Sequence, residues 1–297
     1  MMSKISFIGA GKVAHSLSKA LAGQEYKIDC IVSRSIHSAK ALANQFENCR
    51  FSTEYSEALF SEIIFISVND EQIESTAQTV YNLNIDLTGK IFIHLSGAQN
   101  SDSIKILKER NASVASLHIM QTFPSKKAVE IKNILTAAEA DDKTFPLIFN
   151  LAKSIGLKPF RISSEGKIYY HLAGVFASNM LVSEYSNAEN MFAQSWEGDI
   201  FPAQLLKPIM ERTLNNLAEK GTAASLSGPV ERGDFKTIEN HIIALKDNKL
   251  IKLNYISGSL NLLEISFKKG SVDREKYKTI QNYLKTELKK CISEFQT

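Results

Sequence analysis

The chain has 297 residues, 44% of them hydrophobic and 23% charged, a composition typical of a folded globular protein with room for two domains. The formal net charge is only +3 and no basic block occurs, which argues against a surface that binds nucleic acid. No apolar run approaches the roughly 20 residues of a membrane-spanning helix, so we expect no membrane partner.

The three cysteines, Cys30, Cys49 and Cys291, follow no metal-ligand or C-x-x-C spacing. So sparse and odd a set argues against a disulfide framework and a metal site, and fits a reducing compartment. The apolar run "ISFI" is too short for a secretory signal and leads directly into Gly9. We therefore expect a cytoplasmic location.

From Ile5 to about Ile162, short apolar runs alternate with helical patterns, which predicts βαβ units and a parallel sheet. The predicted strands lie, in chain order, in "KISFIG", "KIDCIVSRS", "SEIIFISV", "KIFIHLSG", "ASVASLHIMQTF", "IKNILTAA" and "KPFRIS". After Ser163 the pattern becomes helical, with segments at about 165–195, 201–220, 233–246, 249–269 and 273–294. The predicted fold class is α/β: a doubly wound, mostly parallel sheet over residues 1–163 and an all-helical domain over residues 164–297.

The first predicted strand runs into "GAGKVA", which has the G-x-G-x-x-A form of a dinucleotide-binding turn. Gly9 permits the tight turn, Gly11 lets the backbone approach a pyrophosphate, and Ala14 lets the helix pack closely on the strand. The helix N-terminus then offers free N–H groups to the anion. The predicted contacts are Gly9, Ala10, Gly11, Lys12 and Val13. The alternative is a glycine turn in a domain that binds no cofactor.

The end of the second strand indicates which nicotinamide cofactor is bound. An NAD site uses a carboxylate here, whereas this strand ends in Ser33, Arg34 and Ser35. An arginine fork with flanking hydroxyls suits the 2′-phosphate of NADP, which a carboxylate would repel. The sequence therefore predicts NADP, with a solvated surface arginine as the alternative role for Arg34.

Ligands in such sheets bind beyond the carboxyl ends of the strands. Three further strand ends therefore supply candidates. "FISVND" places Val68, Asn69 and Asp70 there, and "FIHLSGA" places Leu95, Ser96 and Gly97 there as cofactor contacts. "SLHIMQTF" adds His118 as a candidate catalytic residue. The alternatives are that Asp70 caps the next helix and that the histidines His94 and His118 are hydrogen-bonded core residues.

Together these motifs, with "HLAGVFASN" and "LSGPVERGDFKTIENH", resemble a family of Rossmann-like oxidoreductases whose C-terminal half is a domain of unknown function. The group is labelled as deazaflavin-coenzyme-dependent NADP oxidoreductases. The resemblance covers nearly the whole chain. It implies a Rossmann domain followed by a helical dimerisation domain, as in relatives of 6-phosphogluconate dehydrogenase and pyrroline-5-carboxylate reductase, and hence a homodimer. The family usually has proline after His118, where this chain has Ile119.

Related two-domain dehydrogenases take a lysine and an asparagine from the first long helix after the sheet. Here that helix is "GKIYYHLAGVFASN", with Lys167 near its start, where we expect it to be solvated. His171 is the candidate proton donor because imidazole titrates near neutral pH. Asn179 is the candidate that orients the substrate, and Ser178 is a candidate substrate contact. Gly174 would permit close approach of the cofactor or of a neighbouring strand end. The alternative is that His171 and Asn179 are packed helix residues.

A second group lies in "LSGPVERGDFKTIENH", where Asp234 is the predicted N-cap of a helix that carries Thr237. The stretch resembles, by position, a segment of pyrroline-5-carboxylate reductases that meets the active site across the dimer. That resemblance implies that Arg232 and Thr237 contact the substrate in a partner's site, with Arg232 pairing with a substrate carboxylate. The alternative is an interdomain loop with an Arg232–Asp234 ion pair.

The sequence thus predicts an NADP-dependent oxidoreductase that moves a hydride to or from a small carbonyl, imine or hydroxy acid and works as a homodimer. One alternative is a non-catalytic NADP-binding regulator or sensor on the same fold. Another is hydride exchange between NADP and a deazaflavin. Because a fold does not determine its function, these alternatives stay open at this level.

Overall fold

The computed structural model describes residues 3–22, 24–197 and 202–295. The chain divides into two compact units, Met1–Leu181 and Val182–Thr297. The domain boundary predicted after residue 163 falls earlier, at the end of the sheet. The roles predicted for the two domains stay predictions.

The first unit contains one eight-stranded sheet with the strand order β3-β2-β1-β4-β5-β6-β7-β8. Among the strand pairs of the described residues, β6–β7 alone is antiparallel. The predicted α/β class with a mostly parallel sheet is therefore confirmed. The strands are β1 Ser3–Ile8, β2 Tyr26–Val32, β3 Arg50–Ser52, β4 Ile63–Ile66, β5 Ile91–His94, β6 Ser113–Ile119, β7 Leu135–Ala140 and β8 Lys158–Arg161.

Helices cover both faces of this sheet, which explains why its central strands are apolar on both sides. Leu17 and Leu151 belong to the core on one face, and Ile73 and Leu107 to the core on the other. The helices are α1 Lys12–Ala22, α2 Ile36–Ala43, α3 Ile73–Asn82, α4 Phe145–Ser154 and α5 Gly166–Val175, with 3-10 segments at Tyr55–Phe60, Asp70–Gln72 and Ser101–Arg110. Strands β1, β4, β5 and β6 are mutually parallel, so their carboxyl ends form one rim on which the predicted polar side chains meet.

The second unit consists of helices, as predicted. They are α6 Leu181–Ser195, α7 Pro202–Ser225, α8 Pro229–Arg232, α9 Phe235–Ala244, α10 Lys249–Lys269 and α11 Arg274–Glu294. Its core includes Val230, Ile238, Ile256 and Leu284. By contrast, no described side chain of α6 or α7 is buried. The predicted start of the second segment, residue 201, lies outside the described residues.

One helical prediction needs correction, and one helix continues past its predicted end at residue 220. The segment predicted over 165–195 is interrupted by one π-helical turn, Phe176–Met180, between α5 and α6. Helix α7 is kinked at Gly221, whose φ of 75° is left-handed. Within the described residues, no helix is both long and apolar enough to cross a membrane.

Candidate functional site

The turn after β1 has the close backbone packing that its two glycines predict. Gly9 has a φ of 112°, and its N–H donates to the carbonyl of Val32 at 2.7 Å. A Cβ at Gly9 would overlap the backbone carbonyl of Ser67 at the end of β4. Only glycine fits this position, because any side chain would meet both the strain of the left-handed region and that overlap.

A cleft of about 290 Å³ opens beyond this turn, at the carboxyl ends of β1, β2 and β4. Of the predicted cofactor contacts, those that line it are Gly9, Ala10, Gly11, Ser33, Arg34, Val68 and Asn69. Lys12 and Val13 instead form the first turn of α1. Ser35 caps α2, where its hydroxyl accepts from the N–H of Ser38 at 3.3 Å.

The charge of this cleft suits the phosphorylated cofactor. Arg34 is exposed at its edge, and no Asp or Glu is among the described lining residues. Lys126, which sequence reasoning missed, lines the same cleft and donates from Nζ to the hydroxyl of Ser38 at 3.3 Å. Two cations and two serine hydroxyls, Ser33 and Ser38, therefore surround a space open to an anion, so the residues present fit NADP.

The loops after β4 and β5 are tied together by side chains. The Ser96 hydroxyl donates to Asp70 Oδ2 at 2.7 Å and accepts from the N–H groups of Ala98 and Gln99 at 3.2 and 3.1 Å. The Asp70 carboxylate therefore binds Ser96. Asp70 is the first residue of the 3-10 segment Asp70–Gln72, and the N-cap of that segment is Asn69. The expectation that Asp70 caps a helix is wrong, because the loop after β5 takes up its carboxylate.

A second cavity, of about 620 Å³, lies between the carboxyl end of β6 and helix α5 with its π-helical turn. Its lining residues are His118, Met120, Gln121, Thr122, Phe123, Pro124, Tyr170, His171, Gly174, Val175, Ala177, Ser178 and Asn179. The predicted residues His118, His171, Ser178 and Asn179 are thus brought together around one space.

The two histidines meet at Gly97, in the loop after β5. Their ring centroids are 6.0 Å apart, in an edge-to-face arrangement. A Cβ on Gly97 would lie 2.7 Å from His171 Nδ1 and 2.8 Å from His118 Nε2. The predicted cofactor residue Gly97 therefore contacts both imidazoles, and its missing side chain is what makes room for them.

His118 is a neutral imidazole at pH 7. Its pKa is lowered to about 4, first by burial and then by the charges of Lys167 and His171. Tyr170 packs edge-on against its ring, and the Tyr170 hydroxyl donates to the His118 carbonyl at 3.1 Å. Burial raises the pKa of Tyr170 to about 12, so this hydroxyl keeps its proton.

His94, at the end of β5, is a core residue. It is fully buried, its Nδ1 accepts from the N–H of Ser96 at 3.3 Å, and Nε2 lies 2.9 Å from the carbonyl of Asn100. This pairing assigns the proton to Nε2. Burial, with the charge of Lys167, lowers the pKa of His94 to about 3.

Ser178 and Asn179 lie in the π-helical turn Phe176–Met180, a local widening that often occurs at functional sites. Gly174 lies two residues before it. A Cβ on Gly174 would lie 3.9 Å from its nearest neighbours, two atoms of Met120, which is an ordinary contact distance. The described protein atoms thus leave ordinary space at Gly174, and the predicted approach of the cofactor to this residue stays a prediction.

Lys167 corrects another expectation. Its side chain is 1% exposed, not solvated, because the first turn of α5 faces the sheet. Nζ donates to the carbonyl of Ser96 at 3.0 Å and to the hydroxyl of Ser116 on β6. Burial lowers its pKa to about 8.

Arg232 and Thr237 lie in the second unit, and their predicted place in a partner's site stays a prediction. Asp234 is the N-cap of α9, as predicted, with its carboxylate accepting from the N–H and the hydroxyl of Thr237 at 3.1 and 2.7 Å. Arg232 is exposed at the end of α8. No cluster of three or more potential metal ligands occurs among the described residues.

Two segments of the chain match known protein families. Residues 4–97 match the family described as NADP oxidoreductase coenzyme F420-dependent. Residues 134–259 match a domain of unknown function, DUF2520. No protein of curated function matches the sequence. The family of the first segment confirms the NADP cofactor predicted from the "GAGKVA" and "VSRS" motifs.

Solved structures share the fold. A Thermotoga maritima protein, TM1727, is 27% identical with a TM-score of 0.70, over 89% of this chain and 99% of that one. A Bacteroides fragilis protein titled as a candidate NADP oxidoreductase is 23% identical with a TM-score of 0.72, over 88% and 98% of the chains. An Aspergillus terreus reductive aminase in complex with NADPH and ethyl-5-oxohexanoate is 14% identical with a TM-score of 0.60, over 98% and 95%.

Proposed function

We propose that this chain, which joins an NADP oxidoreductase domain to a domain of the DUF2520 family, is an NADP-dependent enzyme that reduces a small carbonyl or imine, or oxidises the corresponding hydroxy acid or amine. The cofactor would occupy the cleft of Gly9 and Arg34. The substrate would occupy the cavity of His118 and His171.

One observation carries this proposal. Gly97, on the rim of the cofactor-binding sheet, contacts both imidazoles of the second cavity. The loop predicted to meet the cofactor and the side chains able to exchange a proton are therefore adjacent. A non-catalytic sensor would need the cleft but has no use for paired imidazoles beside the loop that carries Gly97.

NADPH, when bound, supplies a hydride to the carbon of a C=O or C=N group. The protein must then supply one proton to the oxygen or nitrogen. We assign this proton to His171, which lines the cavity, lies beside Gly97 and would recover its proton from solvent. His118 is neutral at pH 7. It therefore serves as a hydrogen-bonding partner, while the Asn179 amide orients the reacting group.

The lining residues favour a compact and largely apolar substrate. Met120, Phe123 and Val175 supply apolar walls, while hydroxyl, amide and imidazole groups supply the polar contacts. Neutral carbonyl or imine substrates fit such a wall directly. The solved reductive aminase with NADPH and a keto ester supports the same class. A hydroxy acid or keto acid would need a cation, a role that Arg232 of a second copy would fill, with Thr237 as a further substrate contact.

We further propose that the enzyme is a homodimer through its helices. Large apolar side chains are exposed along α5, the π-helical turn and α6, notably Tyr169 at 74%, Phe176 at 69% and Val182 at 69%. Helix α7 exposes Ile209 at 66%. An apolar surface of this extent is typical of an interface between proteins. Light scattering should give twice the chain mass.

The decisive experiment follows the near-ultraviolet absorbance of NADPH with three substrate sets: cyclic imines, ketones mixed with amines, and keto acids. We expect NADPH to be consumed only when a substrate is present, and we expect His171→Ala to lower kcat at least a hundredfold. His37→Ala, a change at an exposed histidine of α2, is the matched control and should leave the rate unchanged. Binding of NADPH without turnover of any set would favour the sensor.

The family description of residues 4–97 favours one second candidate, exchange of a hydride between NADP and a deazaflavin. That reaction would consume NADPH with a free oxidised deazaflavin and would need no carbonyl or imine. His171→Ala would then leave the rate nearly unchanged.

A further inference from the structure

The most unusual group in the first unit is the ammonium of Lys167, which is buried between two strands. Its Nζ donates to the Ser96 carbonyl in the loop after β5 at 3.0 Å and to the Ser116 hydroxyl on β6. Both partners are neutral. The side chain thus ties the loop that carries Gly97 to the strand that carries His118.

No carboxylate among the described residues lies within ion-pairing distance of Lys167 Nζ. The nearest acidic groups in its surroundings, Glu139 and Asp70, are engaged elsewhere. Glu139 accepts from the N–H and hydroxyl of Ser101 and from the hydroxyl of Ser164, and Asp70 accepts from Ser96. The charge of Lys167 is therefore not neutralised at contact distance, and its field reaches the neighbouring imidazoles.

We propose that Lys167 is a positioning residue which holds His118 as a neutral imidazole against Gly97, so that His171 alone supplies the catalytic proton. The proposal rests on the proposed function for the role of the proton, but the protonation state of His118 is a property of the folded chain by itself. If His118 were also protonated, its imidazolium would repel a protonated His171. His118 could then no longer accept a hydrogen bond at its ring.

Several groups act on His118, and the charge of Lys167 is one of them. Tyr170 and His171 face the ring from α5, and His94 lies on the neighbouring strand β5. Tyr170 is neutral, since its pKa is raised to about 12, and His94 is neutral, since its pKa is lowered to about 3. Burial of the ring, which is the larger effect, and then the positive charge of Lys167 therefore oppose protonation of His118.

The hydrogen bonds of Lys167 and its charge can be separated by substitution. Lys167→Gln removes the charge and keeps a donor for the Ser96 carbonyl. Lys167→Met removes both and keeps an unbranched chain. Ser116→Ala keeps the charge and removes one hydrogen bond. Lys127→Gln, at an exposed lysine, is the control for the loss of one positive charge.

The test is a titration of the histidine ring resonances by NMR, with the free chain between about pH 8 and pH 5. In the wild type, Ser116→Ala and Lys127→Gln proteins, we expect the His118 signals not to move. In Lys167→Gln and Lys167→Met, the pKa of His118 should rise, so that its signals move as the pH approaches the acid end of this range. Unchanged His118 signals in a folded Lys167→Gln protein would overturn the proposal. So would an equal rise in Ser116→Ala, which would assign the effect to geometry.

The activity measurement is kept separate. The pH profile of kcat in Lys167→Gln should gain an acid limb at the new pKa of His118, with less change in KM. If no substrate is turned over, the proposed function fails while the titration still decides the role of Lys167. If turnover occurs but its pH profile is unchanged by Lys167→Gln, the role of Lys167 is refuted and the proposed function stands.

Discussion

Gly97→Ala tests the packing on which the candidate site depends. The added methyl group would lie 2.7 Å from His171 Nδ1 and 2.8 Å from His118 Nε2, well inside van der Waals contact. The rings cannot both retreat freely, because His118 also packs edge-on against Tyr170. The backbone itself is not the obstacle, since Gly97 is not among the residues with positive φ.

The cost follows from this geometry. Forcing one extra methyl group into a packed region typically costs about 1–3 kcal/mol in the free energy of unfolding. For a chain of this size, that corresponds to a fall in Tm of several degrees. Displacement of the two imidazoles by a few tenths of an ångström or more should reduce kcat/KM on the order of tenfold to a hundredfold.

Gly174→Ala, in the cavity that His118 and His171 line, is the matched glycine-to-alanine control. Its methyl group would meet only Met120 atoms at 3.9 Å, and alanine is the better helix former by about 1 kcal/mol. Gly97→Ala should lower both kcat/KM and the free energy of unfolding, measured with urea. Gly174→Ala should instead raise the free energy of unfolding and keep a higher kcat/KM than Gly97→Ala. A Gly97→Ala protein that matches the wild type in both would refute the described contact between Gly97 and the imidazoles.

Three other predictions follow from charge and packing. The pKa values of His94 and His118 are lowered in the folded chain, so the unfolded chain takes up protons first as the pH falls below about 6.5. The free energy of unfolding, measured with urea, should therefore be lower at pH 5 than at pH 7 by about 2 kcal/mol for each of the two histidines, and equal values at the two pH values would contradict this prediction. Arg34→Asp should raise the Kd of NADPH, measured by calorimetry, at least tenfold and change the Kd of NADH little. An equal rise for both cofactors would refute the predicted contact between Arg34 and the 2′-phosphate. Gly258→Ala, in an open position on α10, should raise the free energy of unfolding by about 0.5–1 kcal/mol, and a loss would contradict the open position.

The alternation of apolar runs and helical patterns was sufficient to predict the sheet, because buried parallel strands carry a strong local signal. Strand β3 was missed because it has only three residues, Arg50–Ser52, and its pairing with β2 is a contact distant in sequence. The π-helical turn at Phe176–Met180 was missed for a related reason, since its residues are also compatible with an ordinary helix.

The site was predictable as a set of strand ends but not as a set of contacts. Glycine turns and a histidine near the end of β6 have local signatures, so Gly9, Gly97 and His118 could be named. The burial of Lys167 depends on which face of α5 meets the sheet, and a lysine near a helix start is ordinarily solvated. Lys126 lies in a loop without periodicity, and only the folded chain brings it to Ser38.

The central claim is that a hydride passes from NADPH to a carbon atom of a small substrate held beside His171. The most direct measurement is mass spectrometry of the product formed with NADPH that is deuterated at the transferable position of its nicotinamide. We expect one deuterium on the reduced carbon of an imine or carbonyl substrate, and loss of this labelled product in His171→Ala. Consumption of NADPH with no label in the organic product, or with the label in an added deazaflavin, would contradict the claim.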